Sequence, residues 1–122
     1  MQILAVISVV VVALLHIYFL ILEMYFWEKP LGLKVFGLDP EFAKASRAIA
    51  ANQGLYNGFL AAGLIWGVSM GPAGNPINVF FLVCIIIAGL FGAITANRKI
   101  LYFQALTAVV ALTMVCLVTA GF

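Results

Sequence analysis

Four apolar runs, Ile3 to Phe26, Ala48 to Met70, Ile77 to Ala96 and Ile100 to Ala120, take up most of this 122-residue chain. Each is close to the roughly 20 helical residues needed to cross a hydrocarbon layer about 30 Å thick. With 66% of residues hydrophobic and 8% charged, the ten charged side chains cannot clothe a water-soluble body of this length. The outer solvent must therefore be lipid. The net charge of +2 is too small and too dispersed for a nucleic-acid footprint, so no nucleic-acid partner is expected.

Trp27-Glu28-Lys29-Pro30, the Gly71 to Pro76 segment and Asn97-Arg98-Lys99 punctuate the runs. Connections this short make neighbouring helices antiparallel. The expected fold is an all-α integral membrane protein, an antiparallel four-helix transmembrane bundle with both termini outside. One domain, 1–122, would hold spans of about 3–26, 43–70, 77–96 and 100–120 with an interfacial segment at 28–40. The first run lacks a basic leader and a small-residue cleavage pattern, so it reads as a retained span rather than a signal peptide. Lys29, Lys34, Lys44 and Arg47 fall in or beside the first connection, and Arg98 and Lys99 in the third. The positive-inside rule then puts those connections in the cytoplasm and both termini on the far side of the membrane.

Asp39-Pro40-Glu41 reads as a helix start: a side-chain acceptor for free N–H groups, a preset first residue, and an acid at the positive end of the dipole. Leu31 to Leu38 mixes apolar residues with Lys34 and two glycines, as a segment lying along headgroups would. Polar groups inside spans are costly in lipid and collect at bundle interiors or cavities. In the expected topology Glu23, Arg47, Asn52, Gln53, Tyr56, Asn57 and Gln104 all fall in the cytoplasmic half. The far half offers mainly Ser8, Ser69, Thr113 and Thr119. This distribution suggests an inward-facing polar pocket with Glu23, Arg47, Asn52, Gln53, Tyr56, Asn57 and Gln104 as ligand-binding candidates.

Glu23, the one carboxylate within an apolar run, is either a functional acid or a clamp between helices. His16, the sole histidine, is either an interhelical hydrogen-bonder or a proton carrier. These two are the candidate catalytic groups. One histidine, one intramembrane acid and the scattered Cys84 and Cys116 do not match metal-ligand spacing, so no metal site is expected. No cofactor is indicated. At 100° per residue Asn52, Gln53, Tyr56 and Asn57 share one arc of about 140°, and Gly54, Gly58 and Ala62 form a small-residue stripe opposite it. Gly63, Gly67, Gly89 and Gly92 repeat the spacing, pointing to close helix packing and to a homo-oligomer.

The string His16-Ile-Tyr-Phe-Leu-Ile-Leu-Glu23-Met-Tyr-Phe-Trp27, then Val35-Phe-Gly-Leu-Asp-Pro40, then Ala50-Ala-Asn-Gln-Gly-Leu-Tyr-Asn-Gly-Phe-Leu60, resembles a small bacterial membrane family known as domain of unknown function 1304. The resemblance covers essentially the whole chain, and Ala-Asn-Gln-Gly-Leu-Tyr-Asn-Gly is its specific part. It implies a compact four-span inner-membrane protein and no particular reaction. In architecture the chain is also similar to the membrane-associated eicosanoid and glutathione metabolism proteins, trimers that bind glutathione between subunits. Arg47 and Asn52 are the nearest matches to that family's arginine and asparagine, and Leu55 stands where it has an acid.

Taken together, these readings suggest a protein that binds a small amphipathic or lipophilic molecule, with glutathione-transferase-like chemistry implied by the second resemblance. Two alternatives stand beside it: a transporter or channel subunit, and a structural protein whose polar groups only join helices.

Overall fold

The computed structural model describes residues 1–122 and is helical throughout, with no strand. Its elements are α1 (Gln2–Tyr25), α2 (Pro30–Phe36), α3 (Pro40–Ser69), a 3₁₀ turn (Gly71–Gly74), α4 (Asn75–Thr95), a π-helical turn (Leu101–Leu106) and α5 (Thr107–Thr119). Three stretches, Gln2–Tyr25, Gly71–Thr95 and Leu101–Thr119, are long and apolar enough to cross a membrane. The chain is therefore a membrane protein. α3 has 30 residues, but Glu41, Lys44, Arg47, Asn52, Gln53 and Asn57 dilute its apolarity, and it is not one of the three.

Contacts divide the chain into two compact units, Leu14–Ala61 and Met1–Ala13 with Ala62–Phe122. Within Leu14–Ala61, α3 starts where Asp39 predicts: its Oδ2 accepts from the N–H groups of Glu41 and Phe42 at 3.1 and 3.2 Å. The interfacial stretch of the sequence is partly helical, as α2. It ends at Gly37, whose φ of 63° is a left-handed conformation open to glycine, and the Leu38 N–H returns to the Leu33 carbonyl at 2.9 Å. Trp27 anchors this end. Its ring lies 5.0 Å from that of Phe36, and its Nε1 donates to Ser46 Oγ at 3.1 Å.

The buried side of α3 is a seam of mostly small residues, Ala43, Ala50, Gly54, Asn57, Ala61 and Leu64, spaced by seven and then by fours and threes. That spacing keeps one narrow stripe facing a partner helix. A Cβ on Gly54 would stand 2.7 Å from Met24 Cγ and 3.1 Å from Glu23 Cβ, and one on Gly58 would stand 2.7 Å from Leu20 Cδ1. The seam is thus narrow enough that α1 lies almost on the α3 backbone.

In the second unit, α4 and the π-helical turn meet where a Cβ on Gly89 would stand 2.8 Å from Ala105 Cβ. The wide turn withdraws the usual N–H partner from some carbonyls, and the Thr107 hydroxyl donates to the Phe103 carbonyl at 2.7 Å. Gly63 lies against the Phe81 ring, Gly67 against the Asn78 side chain, and Gly92 beside Ile100. Cys84 and Cys116 are both free thiols, the first half-buried and the second exposed.

Candidate functional site

A buried polar contact in Leu14–Ala61 joins α1 to α3. Asn57 Nδ2 donates to Glu23 Oε1 at 3.0 Å, with Glu23 8% exposed and Asn57 4%. Helix geometry explains the pairing. Asn57 lies one turn beyond Gly54 on the buried seam, and the missing side chain at Gly54 lets α1 come close enough for the carboxyl to reach the amide. A carboxyl group taken out of water needs such a donor.

His16 is fully buried, seven residues before Glu23 and therefore on the same face of α1. Its ring meets Phe19 edge-on, with centroids 5.8 Å apart.

The remaining candidates are divided. Asn52, Gln53 and Tyr56 lie outside the buried seam and are exposed, Tyr56 by 55%. Arg47 points to the surface and pairs with Glu28, Nη1 to Oε2, at 3.3 Å. Gln104 is half-buried on the π-helical turn in the other unit. Within this unit Glu23 is therefore joined to Asn57 and not to Arg47, Asn52 or Gln53. The reason lies in register. The sequence reading put all four amide and phenol groups on one arc opposite Gly54 and Gly58, whereas the interface runs between those two arcs, taking Asn57 and Gly54 together and leaving Asn52 and Tyr56 outside.

One buried polar residue escaped the sequence reading. Asn78, on α4, is 4% exposed, and its Oδ1 has no hydrogen-bond partner. It lies inside the expected span 77–96, but the polar groups assigned to the far half leave it out; the helix begins at Asn75 and carries Asn78 one turn inside. The signal was present: an amide inside a span is expected to turn toward the bundle interior.

The family described as "Protein of unknown function (DUF1304)" matches residues 10–116. The Uncharacterized protein YpaA of Lactococcus lactis subsp. lactis (strain IL1403) is 33% identical over 114 residues, which cover 92% of this chain and 96% of that one. No solved structure matches. A match over this much of the sequence, with a relative of nearly the same span, places the chain in the DUF1304 family.

Proposed function

We propose that the protein is a multi-pass bacterial inner-membrane protein whose four long helices all cross the bilayer as an antiparallel bundle with both termini outside the cytoplasm. It assembles with copies of itself and holds a small amphipathic or lipophilic molecule at the seam between them. The observation that carries this reading is the exposure of Asn52 and Gln53 on α3, outside its buried seam. A 30-residue helix is about 45 Å long at 1.5 Å per residue, enough to cross. Amide side chains turned toward acyl chains are expensive, so a crossing helix must have that face covered.

A second copy suits the face because an amide both donates and accepts, so the same patch can pair with itself across a two-fold or ring interface. Exposed Tyr56 and Phe59 beside it, rings edge-on at 5.7 Å, supply an apolar wall for the lipophilic part of a ligand. The likeness to the membrane-associated eicosanoid and glutathione metabolism proteins points the same way, since those trimers bind between subunits. Glu23 and Asn57, on the seam side of α3, tie it to α1 and so hold the amide face in place. Arg47, at the basic end of α3, offers an anion-binding group once released from its exposed pairing with Glu28.

The structural reading draws on the direct Glu23–Asn57 bond, which is what a helix clamp would look like. Native mass spectrometry of protein released from membrane vesicles separates the two. The proposal expects an oligomer carrying an added small-molecule mass, with both subunit association and that mass lost in Asn52→Leu/Gln53→Leu. An oligomer that never carries such a mass favours the structural reading, and a bare monomer contradicts both assembly and binding.

A further inference from the structure

Arg98 and Lys99 carry the only charged side chains in the unit formed by Met1–Ala13 and Ala62–Phe122, which holds no Asp or Glu. Both are exposed, two adjacent cations with no acid of their own unit to pair with. The turn closes without their side chains. The Ala96 and Asn97 N–H groups both donate to the Gly92 carbonyl, at 2.8 and 3.0 Å, and Asn97 Oδ1 accepts from the Lys99 N–H at 2.9 Å. Beyond the turn the chain is helical over 99–119. Tyr102 and Phe103 stand one turn past Lys99, Leu106 a second turn on and Val110 a third, all exposed, while Ala105, Ala108 and Ala111 make up the buried side. The outer face of this helix therefore runs in order from cation through phenol to hydrocarbon.

We propose that this face binds one anionic phospholipid of the leaflet that the turn at 97–99 faces, its phosphate held by Arg98 and Lys99 and an acyl chain laid along Phe103, Leu106 and Val110. The order of chemistry along the helix is the order along such a lipid. A guanidinium can meet two phosphate oxygens at once, and an ammonium adds a second charge. The Tyr102 phenol falls at the level of the lipid's ester carbonyls, where its hydroxyl can donate. From Lys99 to Val110 the helix rises about 16 Å at 1.5 Å per residue, half of a hydrocarbon layer about 30 Å thick and thus the reach of one leaflet. The apolar stretch alone would take any lipid; the unopposed cations select the anionic one. The site uses no residue of the amide face of α3, so it stands or falls apart from the copy-to-copy reading above.

Quenching of tryptophan fluorescence by brominated acyl chains reads the lipid at a chosen place on the helix. The full chain with Trp27→Phe, Trp66→Phe and Phe103→Trp is reconstituted in mixed phosphatidylglycerol and phosphatidylcholine, with the bromine on one lipid or the other. A preference of about fivefold or more for phosphatidylglycerol is expected. It should fall to near one in Arg98→Gln/Lys99→Gln and return in Arg98→Lys/Lys99→Arg. A tryptophan placed instead by Phe80→Trp, exposed near the start of α4, should show no preference. Equal quenching by the two lipids at position 103, an unchanged preference in Arg98→Gln/Lys99→Gln, or the same preference at position 80 overturns the proposal. The comparison of positions 103 and 80 leaves the turn intact, so it decides the matter even if Arg98→Gln/Lys99→Gln does not fold. Inorganic phosphate separates the two sources of the anion: a preference lost to phosphate, but not to chloride of equal ionic strength, marks a free-phosphate site and overturns the lipid.

Discussion

Each of the two units buries an asparagine, and the two are treated differently. In Leu14–Ala61, Asn57 meets Glu23 across 34 residues of sequence, and donor and acceptor satisfy each other. In the other unit, Asn78 is enclosed by the small residues around it and its Oδ1 meets no protein donor. Glycine makes both burials possible, but at Gly54 it brings a partner close, whereas at Gly67 it only makes room. A buried amide is thus a poor guide to function until its surroundings are known: the first is a connection within the protein, and the second is an amide packed onto a glycine.

The largest expected effect comes from breaking the satisfied pair. Asn57→Leu should cost about 2–3 kcal/mol by leaving a buried carboxyl without its donor, whereas Glu23→Leu/Asn57→Leu should recover much of that loss. Reversible unfolding in mixed detergent measures both, and a double variant no more stable than Asn57→Leu would mean that the bond contributes nothing. Next come the glycines whose added Cβ would strike backbone rather than a movable side chain. Gly32→Ala would meet the Phe26 carbonyl in one unit, and Gly74→Ala the Gly67 carbonyl in the other. Each should lower stability by about 2 kcal/mol. Gly92→Ala, whose Cβ would stand 3.2 Å from a flexible Ile100 side chain, is the mild control in the same assay.

Smaller effects mark the edges of the comparison. Asp39→Ala removes the acceptor for two N–H groups and should cost about 1 kcal/mol, visible as faster hydrogen exchange at Glu41 and Phe42. Arg47→Ala should change stability by no more than about 0.5 kcal/mol, because its ion pair with Glu28 is solvent-exposed. A loss several times larger would show that Arg47 has a buried partner in the assembled protein.

Much of the helical layout was legible because it follows from local rules. Apolar run length, the Asp39-Pro40 start and the Gly71 to Gly74 break mark α1, α3 and α4 to within a few residues. Lys34 among apolar residues marked a surface segment, but nothing in Leu31 to Leu38 distinguished an extended strand of chain from the short helix α2. The wide turn at Leu101–Leu106 has no sequence signature of its own either. The Glu23–Asn57 pairing was only half legible. Depth grouped Glu23 with several amides, but choosing Asn57 over Asn52 required the rotational setting of α3, which packing against Met24 and Leu20 decides. Asn78 was legible from its place inside the span 77–96, since polar groups in a span turn inward.

Disulfide trapping in native membranes tests the central claim, that the amide face of α3 is covered by a second copy. In a background with Cys84→Ala and Cys116→Ala, Asn52→Cys and Gln53→Cys should form covalent dimers under mild oxidation, while a cysteine replacing exposed Ile94 on α4 should not. Monomer alone at positions 52 and 53, with both thiols reactive toward a lipid-soluble maleimide, would show that the face is bare and that the account of a copy-to-copy site is wrong.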